Sequence, residues 1–263
     1  MHSEAFEIGA GDPVEPADQA WLGRVAGAAV SRIGSRTINA DAVATFTDER
    51  SGRTAFVVAD GVGDHLAAAR AARLVARTAS RVAVVHGARA GILAAQKELL
   101  RELPESAADS VLVVAVLPAG GQPDGPTDIA WVGDCRAYRW NGRALQRITT
   151  DHTVAEYFRS RGHEPMPGMA HLVTTSARTV EPDQIGQAAT GSSAGRLLLC
   201  SDGVGKKLDM VAIKALLAAD NSAGHTAEAL VETALANGGR DNTTALVVDA
   251  QLLRGLSPVQ RLT

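Results

Sequence analysis

Three short apolar runs in this chain each meet an aspartate at one end. TAFVVA (54–59) stops at Asp60-Gly61, RLLLCS (196–201) stops at Asp202-Gly203, and TTALVV (243–248) follows Asp241-Asn242. Runs this short, bounded by turn residues, read as buried strands rather than helices. A carboxylate where a core strand ends is costly to desolvate unless something positive pairs with it. One such Asp is ordinarily a turn residue satisfied by backbone N–H groups. Three of them, with no matching set of strand-end Lys or Arg, point to a shared cation. Carboxylate and carbonyl oxygens without clustered thiolate or imidazole suit Mg²⁺ or Mn²⁺.

The remaining pattern supplies a frame for these ends. Strands are predicted at 21–31, 42–47, 54–59, 111–117, 129–132, 136–140, 143–148, 197–200 and 243–248. Asn141-Gly142 predicts a type I′ hairpin turn between two of them. Leu66, Ala69, Ala72, Val75 and Ala76 recur at helical spacing, so 65–85 reads as an amphipathic helix. Further helices fit 88–103, ended by Pro104, and 154–161, 208–219 and 226–236. Hairpin-linked strands with helices outside them make the fold class α+β. Residues 1–20 read as a flexible leader, 21–250 as one catalytic domain and 251–263 as a tail. Within the domain, 153–190 mixes Gly, Pro, Met and Thr and reads as a flap.

Composition excludes several functions. With 26 Lys and Arg against 29 Asp and Glu, the net charge is -3, which leaves no electrostatic footprint for nucleic acid or anionic lipid. There is no signal-peptide pattern at the N-terminus and no apolar run of membrane-spanning length, so a cytoplasmic location is expected. Cys135 and Cys200 lie in unrelated segments and read as buried reduced thiols. With three Trp, two Tyr and four Phe, the core must be built mostly from Ala, Val and Leu.

Six segments, in order, resemble the motifs of the metal-dependent protein phosphatases of the 2C type. They are Arg36-Thr37-Ile38-Asn39-Ala40-Asp41, Asp60-Gly61-Val62-Gly63-Asp64-His65, Gly133-Asp134-Cys135-Arg136-Ala137-Tyr138, Ile148-Thr149-Thr150-Asp151-His152-Thr153, Leu198-Leu199-Cys200-Ser201-Asp202-Gly203-Val204 and Asp241-Asn242-Thr243-Thr244. The resemblance runs from about Gly27 to Asp249 and implies a bacterial member of the family. It implies two packed antiparallel β-sheets flanked by helices on both sides, a four-layer αββα sandwich. It also implies two divalent cations, Mn²⁺ or Mg²⁺, with Asp60 bridging them, the Gly61 carbonyl on the second, and Asp202 and Asp241 on the first. Arg36 would hold the substrate phosphate and Asp41 would act nearby through water. The implied reaction is hydrolysis of phosphoserine and phosphothreonine in proteins by a metal-activated water, without a phosphoenzyme. The implied partner is a phosphoprotein, with a serine/threonine kinase or its targets as the expected class.

Four positions depart from the family pattern. Ala40 stands where a Glu is usual, which should weaken the second metal. Lys206 stands where an Asp linked to a third metal is often found, which argues against a third ion. Asp64 replaces a Gly and offers a carboxylate that could compensate for Ala40. Val62 lacks the His that some members use as a general acid. These departures keep open a second reading, a catalytically impaired phosphatase-like module that binds and regulates a phosphoprotein. A nucleotide site keyed on DGVGDH is disfavoured, because neither a GxGxxG spacing nor a P-loop Lys-Ser/Thr is present.

Overall fold

The structure is a computed structural model that describes residues 6–7, 25–105, 107–119 and 125–250. Most of the predicted leader, the start of the first predicted strand and the predicted tail lie outside the described residues. Among the described residues, eleven strands form two antiparallel sheets. The first contains β1 (Phe6–Glu7), β3 (Asp41–Thr47), β4 (Thr54–Gly61), β5 (Ser110–Leu117), β6 (Asp128–Val132) and β9 (Gly186–Ala189), in the order β1-β3-β4-β5-β6-β9. The second contains β2 (Val25–Arg32), β7 (Arg136–Trp140), β8 (Leu145–Arg147), β10 (Gly195–Cys200) and β11 (Thr243–Ala250), in the order β2-β11-β10-β7-β8.

The sheets stack with helices outside them, which explains the unbroken apolar runs. Along β4, Ala55, Val57 and Ala59 face the helix layer, while Phe56 and Val58 face the other sheet. A strand buried on both faces has no polar side to alternate. Helices α1 (Leu66–His86) and α2 (Ala88–Glu102) cover the first sheet. Helices α5 (Met210–Ala218) and α6 (Ala223–Ala236) cover the second. The shortage of aromatics is met by close approach. Seven alanines of α1 are buried, and a Cβ on Gly91 of α2 would come within 2.7 Å of the Ala79 carbonyl oxygen.

Three local features differ from the sequence expectation. The β7–β8 connection is a four-residue loop rather than a two-residue turn, since Trp140 pairs with Leu145. The Asn141 side-chain oxygen accepts from the backbone of both Arg143 and Ala144, and its own N–H donates to the Ala144 carbonyl. Residues 186–189 form the unpredicted edge strand β9 on β6, and α3 (Val154–Arg159) precedes it. A four-residue helix, α4 (Asp202–Gly205), continues directly from β10. Among the described residues no helix is long and apolar enough to cross a membrane.

Candidate metal centre

The antiparallel arrangement brings the distant motifs to one end of the sandwich. There β3 begins at Asp41 beside the end of β4 at Asp60, its cross-strand partner. In the second sheet β10 ends at Cys200 beside Ala245 of β11 and Arg136 of β7. Asp202, Asp241 and Asp134 therefore emerge facing Asp60. They line a cleft of about 320 Å³ together with Arg36, Gly61, Val62, Gly63, Val111, His171, Val173 and Asn242.

Asp60 is the least compensated group in this cleft. No protein donor reaches its carboxylate among the described residues. Burial, followed by the charges of Asp41, Asp202, Asp134 and Asp241, pushes it well above the usual carboxylate range. Asp41 sits behind the cleft wall and is 7% exposed. Its Oδ2 accepts from Ser201 Oγ at 2.8 Å and Thr244 Oγ1 at 2.6 Å, and its buried Oδ1 has no partner among the described residues. Burial, only partly offset by those hydroxyls, raises it to about 7.

Two protein cations answer the other carboxylates. Lys206 Nζ lies 2.5 Å from Asp134 Oδ2 and 2.8 Å from Asp202 Oδ2. Burial opposes that ammonium charge, but the two carboxylates more than restore it, and the Lys206 pKa is raised. Arg36 Nη2 donates to Asp241 Oδ2 at 2.7 Å, and its other guanidinium nitrogens have no protein partner among the described residues.

The loop that carries Arg36 is clamped from both sides. Asn242, 5% exposed, donates from Nδ2 to the carbonyls of Ile33 (2.9 Å) and Ile38 (3.0 Å) and accepts from the Ala40 N–H (2.8 Å). Asp64 accepts from the backbone of Thr37 and Ile38 and from the Thr37 hydroxyl. Asp64 is therefore committed to this loop and does not stand in for the Glu missing at Ala40. Ala40 itself is buried against Ala68 and Ala69 at the start of α1.

The remaining motif residues hold the frame. Arg136 makes a paired salt bridge to Asp151 (3.0 and 2.7 Å) and donates to the Gly205 carbonyl, while Arg147 also donates to Asp151. His152 accepts from the Gly133 N–H at 3.3 Å, and burial lowers its pKa, so the neutral ring fixes the β6–β7 turn. His65 caps α1 by accepting from the Ala68 N–H. His171, which falls within the stretch read as a flap, is exposed and lines the cleft. The Asp134–Lys206 pair spans 72 residues and leaves no local sequence signal.

The donor set tests well against a hard divalent cation. Asp60 is a half-buried carboxylate that lacks a protein donor among the described residues and is ringed by other carboxylates, and the nearby ligating atoms are oxygens. Among the described residues no three acidic, His or Cys side chains already form a closed cage. Asp202 and Asp241 are held by Lys206 and Arg36, so a cation would have to draw them away.

Known proteins share this architecture. No protein-family model matches the chain. It is 27% identical over 221 residues to the serine/threonine protein phosphatase PstP of Mycobacterium tuberculosis, covering 76% of this chain and 41% of that protein. A solved structure of PppA, a regulatory component of T6SS in Pseudomonas aeruginosa, superposes with a TM-score of 0.71 at 28% identity, covering 86% of this chain and 98% of that one. The chain is similar in sequence and fold to bacterial serine/threonine phosphatases. The catalytic domain of PstP, solved in complex with two manganese ions, superposes with a TM-score of 0.70 at 25% identity, covering 87% and 99% of the two chains. The match spans about half, or less, of the length of the curated relatives from Listeria welshimeri and Mycobacterium tuberculosis. The αββα layering expected from the motifs is the layering observed.

Proposed function

We propose that this chain hydrolyses phosphoserine and phosphothreonine in proteins, using divalent cations, Mn²⁺ or Mg²⁺, held by Asp60, the Gly61 carbonyl, Asp202 and Asp241. The observation that carries this reading is Asp60, a half-buried carboxylate without a protein donor among the described residues, in a cleft that Arg36 also lines. When bound, the cations would supply the charge that acidifies a water and offsets the phosphoryl oxygens. Arg36 has guanidinium nitrogens without protein partners and a planar fork that suits phosphate. Asp41, hydrogen-bonded to Ser201 and Thr244, would steady the two strand ends and order water behind Asp60. Burial raises both thiols, Cys135 well above its usual range and Cys200 to about 12, so neither supplies a thiolate nucleophile. Hydrolysis without a phosphoenzyme agrees with that chemistry.

The test is turnover of p-nitrophenyl phosphate and a phosphothreonine peptide with Mn²⁺, with chelator, and in Asp202→Ala. Metal-dependent turnover that both chelator and the substitution abolish is expected. A second reading, a module that binds a phosphoprotein without hydrolysing it, is favoured by the protein cations already on Asp202 and Asp241. Phosphopeptide binding without turnover in Mn²⁺ or Mg²⁺ would establish it and overturn the first.

A further inference from the structure

We propose that Lys206 is the built-in occupant of the cation position between Asp134 and Asp202, which confines divalent ions to the Asp60 side of the cleft. The inference rests on the cleft being a metal centre but not on turnover. Lys206 Nζ sits within 2.8 Å of an oxygen of each carboxylate, and the three side chains are only 11%, 5% and 14% exposed for Lys206, Asp134 and Asp202. An ion bridging these two carboxylates would lie about 2.0–2.6 Å from each oxygen, which is the space the ammonium fills.

The lysine is delivered there by the fold. Its backbone N–H donates to the Asp202 carbonyl at 2.8 Å, closing the short α4 turn, so residues 202 and 206 lie on one side of that turn. Arg136, locked to Asp151, donates to the Gly205 carbonyl immediately before it. A largely enclosed ammonium with two carboxylate partners and a fixed backbone is costly to displace. Among the described residues, Lys206 pairs with Asp134 and Asp202 and Arg36 pairs with Asp241, while no cationic side chain forms an ion pair with Asp60.

The experiment counts Mn²⁺ per chain by equilibrium dialysis with metal analysis, together with free Mn²⁺ by electron paramagnetic resonance. Lys206→Gln should bind one more Mn²⁺ than the wild type, and adding Asp134→Asn should remove that ion. Asp134→Asn alone should leave the wild-type count unchanged, and this arm stands even if Lys206→Gln does not fold. An unchanged count in folded Lys206→Gln would overturn the proposal. So would an extra ion insensitive to Asp134→Asn, or an ion lost from Asp134→Asn alone. A chain that counts metal as expected yet hydrolyses no phosphate ester would sink only the phosphatase reading.

Discussion

Asn242 connects the metal-side strand β11 to the loop that carries Arg36, and replacing it should separate fold from site. Its side chain makes three hydrogen bonds, to the Ile33 and Ile38 carbonyls and from the Ala40 N–H, in a nearly dry setting. At about 1 kcal/mol net per bond, Asn242→Ala should cost about 3 kcal/mol, and more if no water reaches the abandoned groups. For a domain of this size that lowers Tm by roughly 6–12 °C. Asn242→Asp keeps the shape and the acceptor for Ala40, but it turns a carboxylate oxygen toward two carbonyls. It should therefore be at least as damaging as Ala. Urea melts of both variants measure the stability cost, and KM against kcat for p-nitrophenyl phosphate measures the effect on the site. KM should rise more than kcat falls, because the freed loop positions Arg36. An Asn242→Asp protein within about 0.5 kcal/mol of wild type, the range of an ordinary surface change, would refute the clamp.

Two further outcomes follow from the same geometry. In chelator, Asp41 titrates at about 7 when folded, against a value near 4 when unfolded. Between those values the folded chain holds a proton the unfolded chain has released, so the Asp41 contribution is complete below about pH 4 and is lost as pH rises through about 7. Urea melts in chelator should show wild type losing more stability than Asp41→Asn over that window, and equal slopes would contradict the burial argument. Gly203→Ala would place a Cβ 2.1 Å from the Asn242 carbonyl oxygen, which is backbone and cannot yield cheaply. The α4 turn carrying Asp202 must then shift, and both Mn²⁺ affinity and turnover should fall more than tenfold; a variant that retains both would show that the turn has slack.

Much of this architecture is written in local pattern. The runs that became β4, β5 and β10 are apolar throughout because sheet and helix cover both their faces; β4 and β10 stop, and β5 starts, where the cleft opens. The spacing along α1 is legible for a related reason, since its buried alanines recur on one face. What escaped local reading depends on tertiary contact. Strand β9, GQAA, has neither alternation nor β-branched residues and exists only because β6 offers it an edge. Helix α4 is four residues long and is held by Arg136 from β7. The charge of Lys206 is visible in the sequence as a departure from the family pattern. Its placement on Asp134 is not, because that partner arrives from another turn at the same end of the sandwich.

The most direct measurement is anomalous diffraction from crystals soaked in Mn²⁺. Asp60 should coordinate a manganese ion while Lys206 remains on Asp134. An Asp60 carboxylate without manganese in a fully soaked crystal would contradict the claim that this half-buried acid is maintained for a cation.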